Sequence, residues 1–197
     1  EGLVDLVTPS TFFHADQDED MREWVEAAKG TGVGVYPCIE EAYSANHTGG
    51  VIRLFYNPPV LMSLTVEMIH AIAARYHYQG VDGIYVFNWS NADFFKSITN
   101  DKEPALKVIG SAEALSCCDK TYVLSRRDGL FPNCLPERQI PVRIDEKPVT
   151  VRMIIADDLA KHRGRVKAVT LRVHYMDLTI QDAVEVKFNG KVIACKA

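Results

Sequence analysis

Residues 33–40 read VGVYPCIE. Apolar side chains fill the run almost without a break, a proline falls near its end, and Glu40 and Glu41 close it. Such a run, bounded by turn residues, is the pattern of a strand covered on both faces, as in parallel sheets. Gly30 and Gly32 precede it. Before them, residues 18–29 carry Met21, Trp24, Val25 and Ala28 at helical spacing, with acids crowding the start. This predicts an amphipathic helix whose acidic first turn complements the helix dipole. Further out, residues 3–7 (LVDLV) form an apolar run closed by Thr8, Pro9 and Ser10, and residues 82–88 (DGIYVFN) form another. Ser63 stands where it can cap a helix running to Gln79, with Met68, Ile69, Ile72, Ala73 and Tyr76 on one face and Gly80 as the stop. Residues 42–62 read as a long loop, and 91–98 and 104–109 as further helical stretches. Strand and helix alternate three times, the pattern of an α/β region with a parallel sheet.

After residue 118 the chemistry changes. Residues 1–118 carry 7 basic and 16 acidic side chains, and residues 119–197 carry 15 and 10, so a net charge of −9 is followed by one of +5. Of the 18 aromatic residues, 14 lie in the first part. In the second part, residues 121–124, 140–144, 149–155, 168–175 and 184–188 read as strands, several with alternating apolar and polar residues. Asn189-Gly190 joins VEVKF to KVIAC, and Asn-Gly between alternating runs is a strong hairpin signal. The expectation is two domains, 1–118 of α/β type and 119–197 as a small antiparallel sandwich or barrel.

Composition narrows the function. The total charge of −4 offers no bulk electrostatic case for nucleic acid or an anionic membrane surface. No apolar run approaches the roughly 20 residues that cross a bilayer. The five cysteines, at 38, 117, 118, 134 and 195, contain no CxxC pair, so neither a zinc site nor a thioredoxin motif is expected, and no metal or cofactor is assigned. The acidic run at 16–20 (DQDED) lacks the glycine and distal glutamate of a calcium loop and reads as a helix start. The basic run at 161–167 (KHRGRVK) lacks interleaved aromatics and reads as a solvated turn.

The runs GLVDLVTPS, EWVEAAKGTGVGVYPCIEE and QGVDGIYVFNW, in that order, resemble the C-terminal part of a (β/α)8 barrel in bacterial glycoside-hydrolase-like proteins, the kind called glycosyl-hydrolase-like family 10. DKTYVLS, followed by a strand-rich tail ending in VEVKFNGKVI, resembles the β-sandwich that follows such barrels. The resemblance implies the last three βα units of a barrel, its sixth to eighth strands, followed by a small antiparallel β-sandwich. A full barrel takes about 250 residues, so 118 residues would be part of one. The expected open edge of the first strand would favour self-association.

Barrel active sites lie at the C-terminal ends of the strands. Those ends carry His14, Glu40, Glu41, Tyr43, Asn88 and Trp89. The resemblance implies hydrolysis of glycosidic bonds in a poly- or oligosaccharide, with catalytic carboxylates at the ends of strands four and seven and a tryptophan after strand eight as a floor for the sugar. Glu40 and Trp89 are similar in placement. Glu40 is therefore the candidate catalytic carboxylate, and Trp89, His14, Tyr43, Asn88 and Glu41 the candidate substrate contacts. The partner carboxylate would belong to the fourth strand, outside this chain, so the chain alone is expected to be inactive. The alternative is a non-catalytic carbohydrate-binding or structural interaction protein, since fold alone does not settle function.

Overall fold

A computed structural model describes residues 2–11, 14–44, 61–89, 102–124, 139–140, 142–145 and 147–194. The chain divides into two compact units, Glu1–Asp157 and Asp158–Ala197. The expected helix at 91–98, residues 45–60 of the expected loop at 42–62, and Cys134 and Cys195 lie outside the described residues.

The first unit is built on three parallel strand segments in sequence order. Strand β1 (Leu6–Val7) pairs in parallel with β2 (Gly34–Val35). Strand β3 (Cys38–Glu40) continues the same run beyond Pro37 and pairs in parallel with β6 (Tyr85–Phe87). Backbone bonds join these pairs into one ladder. Tyr36 N–H reaches Val7 O at 2.9 Å, Cys38 N–H reaches Pro9 O at 2.7 Å, and Tyr85 N–H reaches Pro37 O at 3.0 Å. Pro37 has no donor to lose and breaks the run only locally.

The crossovers are helical, as parallel neighbours require. Helix α1 (Arg22–Ala28) links the first strand to the second. Helix α2 (Val66–Tyr78) links the second to the third, and its N-cap is Thr65, whose side chain accepts from Met68 N–H at 3.3 Å. The cap is therefore two residues later than Ser63. Ser63 instead belongs to β5 (Leu61–Ser63), which pairs antiparallel with β4 (Ala42–Ser44), so a strand pair occupies both ends of what the sequence presents as a loop. Two short helices follow, α3 (Glu103–Leu106) and α4 (Ala112–Leu115), the latter capped by Ser111 Oγ on Ala114 N–H.

The side-chain period of a strand is two, so one sheet face carries Val35 and Ile39 and the other carries Tyr36, Cys38 and Glu40. Val35 and Ile39 are buried with Met21, Leu64, Ile69, Ile72 and Tyr76 in the core between the sheet and α2. On the opposite face, at its N-terminal half, Leu6 and Tyr85 are each about half exposed. Helices thus cover one face of this sheet among the described residues.

Residues 119–122 (DKTY) are fastened to the first unit. Thr121 N–H reaches Glu67 O at 2.9 Å, and His70 Nδ1 lies 3.2 Å from Asp119 O. Lys120 Nζ pairs with Asp157 at 2.7 Å, and Tyr122 Oη donates to the same carboxylate at 2.9 Å while accepting from Ala156 N–H. These bonds tie residues 156–157 to residues 120–122 within the first unit, across some 35 residues of sequence.

In the second unit β7 (Val186–Phe188) and β8 (Lys191–Ile193) form the expected hairpin. Asn189 and Gly190 have φ of 49° and 80°, the left-handed pair that a tight type I′ turn demands. The other expected strands, at 121–124, 140–144, 149–155 and 168–175, have no ladder among their described residues. Many of their apolar side chains stand exposed, Val169 at 68% among them. Alternation supplies an apolar face, but a sheet also needs a partner in register and a second layer to cover it.

Candidate functional site

The C-terminal end of β3 gathers most of the polar candidates. Glu40 ends the strand with its Cα opposite Phe87. The next residue after Phe87, Asn88, turns back and donates from Nδ2 to Glu40 Oε1 at 2.9 Å. Glu40 is fully buried. Two residues expected from the sequence to share a site are therefore in contact, across the ends of neighbouring parallel strands.

A third residue holds Glu40 through its backbone. The Gln17 amide accepts from Glu40 N–H at 3.0 Å and donates to Glu40 O at 2.7 Å, so one side chain satisfies both backbone groups of that residue. Gln17 is itself fully buried. Gln17 and Asn88 have φ of 35° and 56°. Left-handed backbone is uncommon for residues other than glycine; asparagine tolerates it, glutamine much less. Of the two residues that grip Glu40, Gln17 thus has the unfavourable local backbone, while Asn88 has one that its residue type tolerates.

Glu41 takes a different environment. It is buried and ion-paired with Lys102, and its backbone continues the sheet by donating to Phe87 O at 3.3 Å and accepting from Leu64 N–H at 3.0 Å. Burial pulls the Lys102 ammonium down to about 8. A buried carboxylate held by a buried ammonium in this way serves the fold, because losing either partner strands the other charge. His14 is buried in the loop after β1. Tyr43, on β4, and Trp89, after β6, are each partly buried and pack against the hydrophobic core.

The loop at 14–21 is anchored by polar residues of α2 and its C-cap. Arg75 donates to Asp16 O, while Gln79 accepts from Met21 N–H at 2.7 Å and donates to Glu19 O at 3.3 Å. Burial, with the charge of Asp16 added, pushes the Glu19 carboxyl up to about 7. Burial also raises the Cys38 thiol to about 11, which leaves it protonated and unreactive at neutral pH. The acidic run at 16–20 is therefore only partly a helix start. Asp20 does serve α1, accepting from Arg22 N–H at 3.0 Å, but Asp16 and Gln17 are buried in the loop.

Sequence reasoning misses Gln17, Glu19, Arg75, Gln79 and Lys102. Arg75 and Gln79 leave a signal, because they fall at helical spacing from Ile72 and Met68 on the apolar stripe of α2, where a polar residue needs a buried partner. Gln17 leaves none, since its partner is a backbone 23 residues away. Among the described residues no group of three His, Cys, Asp or Glu side chains could hold a metal ion, and no helix is long and apolar enough to cross a membrane. No family model and no curated protein matches the chain.

Proposed function

We propose that the ends of β3 and β6 form a carbohydrate site of glycosidase type, on the last three βα units of a (β/α)8-like region followed by a β-rich tail. One observation carries the reading: Glu40 is held at the C-terminal end of a parallel strand by Asn88 and Gln17, both in left-handed backbone. The strain lies at Gln17, and backbone strain that surrounding contacts maintain is found preferentially at ligand-binding and active sites. The ends of parallel strands are where such folds place their ligands. Sequence-order pairing of the three strands supports the barrel-like part of the proposal, as consecutive βα units pair their strands in that order.

In this reading Glu40 is the carboxylate facing the sugar and Asn88 sets its orientation. Trp89 supplies apolar surface for a sugar's C–H face, and His14 and Tyr43 border the same strand ends. Glycoside hydrolysis needs two carboxyl groups, about 5–5.5 Å apart for retention or about 6.5–9.5 Å for inversion. The bond from Asn88 already engages one oxygen of the Glu40 carboxylate, which suits a second reading, in which the site binds carbohydrate without cleaving it.

Calorimetric titration with cellotetraose, xylotetraose, chitotetraose and maltotetraose tests the site, and 4-nitrophenyl glycosides of the same sugars test turnover. Binding of one oligosaccharide, weakened at least tenfold by Glu40→Gln, is the expected result. Turnover abolished by Glu40→Gln selects the hydrolase, and binding without turnover selects the binding protein. An absence of binding at millimolar concentration for all four sugars, or binding indifferent to Glu40→Gln, overturns the proposal.

A further inference from the structure

Gln17 is chemically inert, buried, and held in a backbone conformation that its side chain does not favour. Its amide does for Glu40 what a neighbouring strand does for a residue inside a sheet, accepting from the N–H and donating to the carbonyl. On the β6 side, the ladder continues past Glu40 through Glu41 N–H to Phe87 O. Gln17 thus stands on the edge of Glu40 that receives no strand bond. That edge faces the loop following β1, whose strand ladder reaches only as far as the bridge between Ser10 and Cys38.

We propose that Gln17 is a positioning residue for the Glu40 carboxylate, fixing the Glu40 peptide so that Asn88 and a carbohydrate ligand meet the carboxylate in one orientation. This rests on the reading of Glu40 as the ligand-facing group. The physical basis is rigidity. A strand-end residue with one free edge can rotate its ψ and swing the side chain, and a carboxyl group displaced by about 1 Å loses much of its value in a site. Two buried hydrogen bonds at 2.7 and 3.0 Å remove that freedom. The loop that bears Gln17 is held next to that residue by Arg75 on Asp16 O, a bond that does not involve Gln79, which grips only the far end of the loop at Glu19 O and Met21 N–H.

The test compares three single variants of the full chain. Gln17→Met keeps length and apolar volume and loses both bonds. Gln17→Glu, at a pH where it is protonated, keeps an acceptor and replaces the amide donor by a single O–H. Gln79→Met removes another buried amide that holds the same loop but makes no hydrogen bond to Glu40. The readouts are the side-chain amide 1H–15N signals of Asn88, which report its bond to the Glu40 carboxylate, and the affinity for whichever of the four tetrasaccharides binds the wild type.

Gln17→Met is expected to shift the Asn88 side-chain signals and weaken binding at least tenfold, and Gln17→Glu to do both to a smaller extent. Gln79→Met is expected to lower the melting temperature while leaving the Asn88 signals in place. The proposal is overturned if Gln17→Met and Gln79→Met behave alike, or if both Gln17 variants fail to fold, since Gln17 is then a residue of the fold. It is also overturned if a wild type that binds sugar is matched by Gln17→Met, an outcome that leaves the carbohydrate reading intact. A wild type that binds none of the four sugars removes the carbohydrate reading first, whatever the Asn88 signals do.

Discussion

Replacing Glu19 by glutamine removes a carboxyl that the fold holds protonated near neutral pH, and the consequence for stability is calculable. The carboxyl rises from an ordinary 4.5 to about 7, first because it is buried and then because Asp16 lies near. A raised carboxyl means that the folded chain binds more protons than the unfolded chain between those two values, so stability must fall as pH rises through that window. The contribution is fully present below pH 4.5 and is lost as pH passes 7. With about 1.36 kcal/mol for each pH unit of difference, the span amounts to about 3 kcal/mol. On this account alone the wild type is expected to be about 3 kcal/mol less stable well above that window than well below it. The substitution Glu19→Gln keeps the side-chain shape and cannot ionise, so the variant gains that amount above the window and little below it. Urea unfolding followed by tryptophan fluorescence at about pH 4, 6 and 8 measures it, because Trp24 and Trp89 both lie in the first unit. The difference between wild type and variant cancels the other titrating groups. A difference that stays constant across the three pH values would refute the reasoning.

Three further outcomes follow from the packing. Ile72→Ala opens the core between α2 and the sheet and is expected to cost about 2–5 kcal/mol in urea unfolding, as fully buried isoleucines do; a loss under about 1 kcal/mol would contradict its placement. Gly190→Ala puts a side chain into left-handed backbone at about 1–2 kcal/mol, enough to abolish the cross-strand nuclear Overhauser contacts between Val186 and Ile193 in so short a hairpin; their persistence would contradict the turn. Leu6 in β1 and Leu3 ahead of it are apolar and exposed, at 54% and 91%; Leu6→Lys is expected to weaken any self-association seen by sedimentation, and an unchanged association constant would place the contact elsewhere.

What the sequence makes legible is local. The run at 33–40 declares a strand through its own apolar continuity, and Asn189-Gly190 declares its turn through its own backbone preference. The pairing of Asn88 with Glu40 is within reach, because each residue ends a strand and neighbouring parallel strands end together. The start of α2 lies two residues beyond the cap that the sequence offers, since the pairing of Ser63 with Ala42 is a tertiary fact that Ser63 itself does not advertise. Gln17 is hidden for the same reason, and Glu19 looks like helix-dipole charge because its burial depends on α2, far along the chain. In the tail, alternation at 149–155 and 168–175 establishes an apolar face but cannot establish a ladder, because register and a covering layer belong to the partner, not to the strand.

The most direct measurement of the central claim follows the Asn88 side-chain amide and the two tryptophan indole signals by 1H–15N spectroscopy as a tetrasaccharide is added. A carbohydrate site at the ends of β3 and β6 predicts saturable shifts of Asn88 and Trp89 with Trp24, half exposed on α1, unmoved, and the loss of those shifts in Glu40→Gln. Shifts that spare Asn88 and Trp89, or that survive Glu40→Gln unchanged, would contradict it.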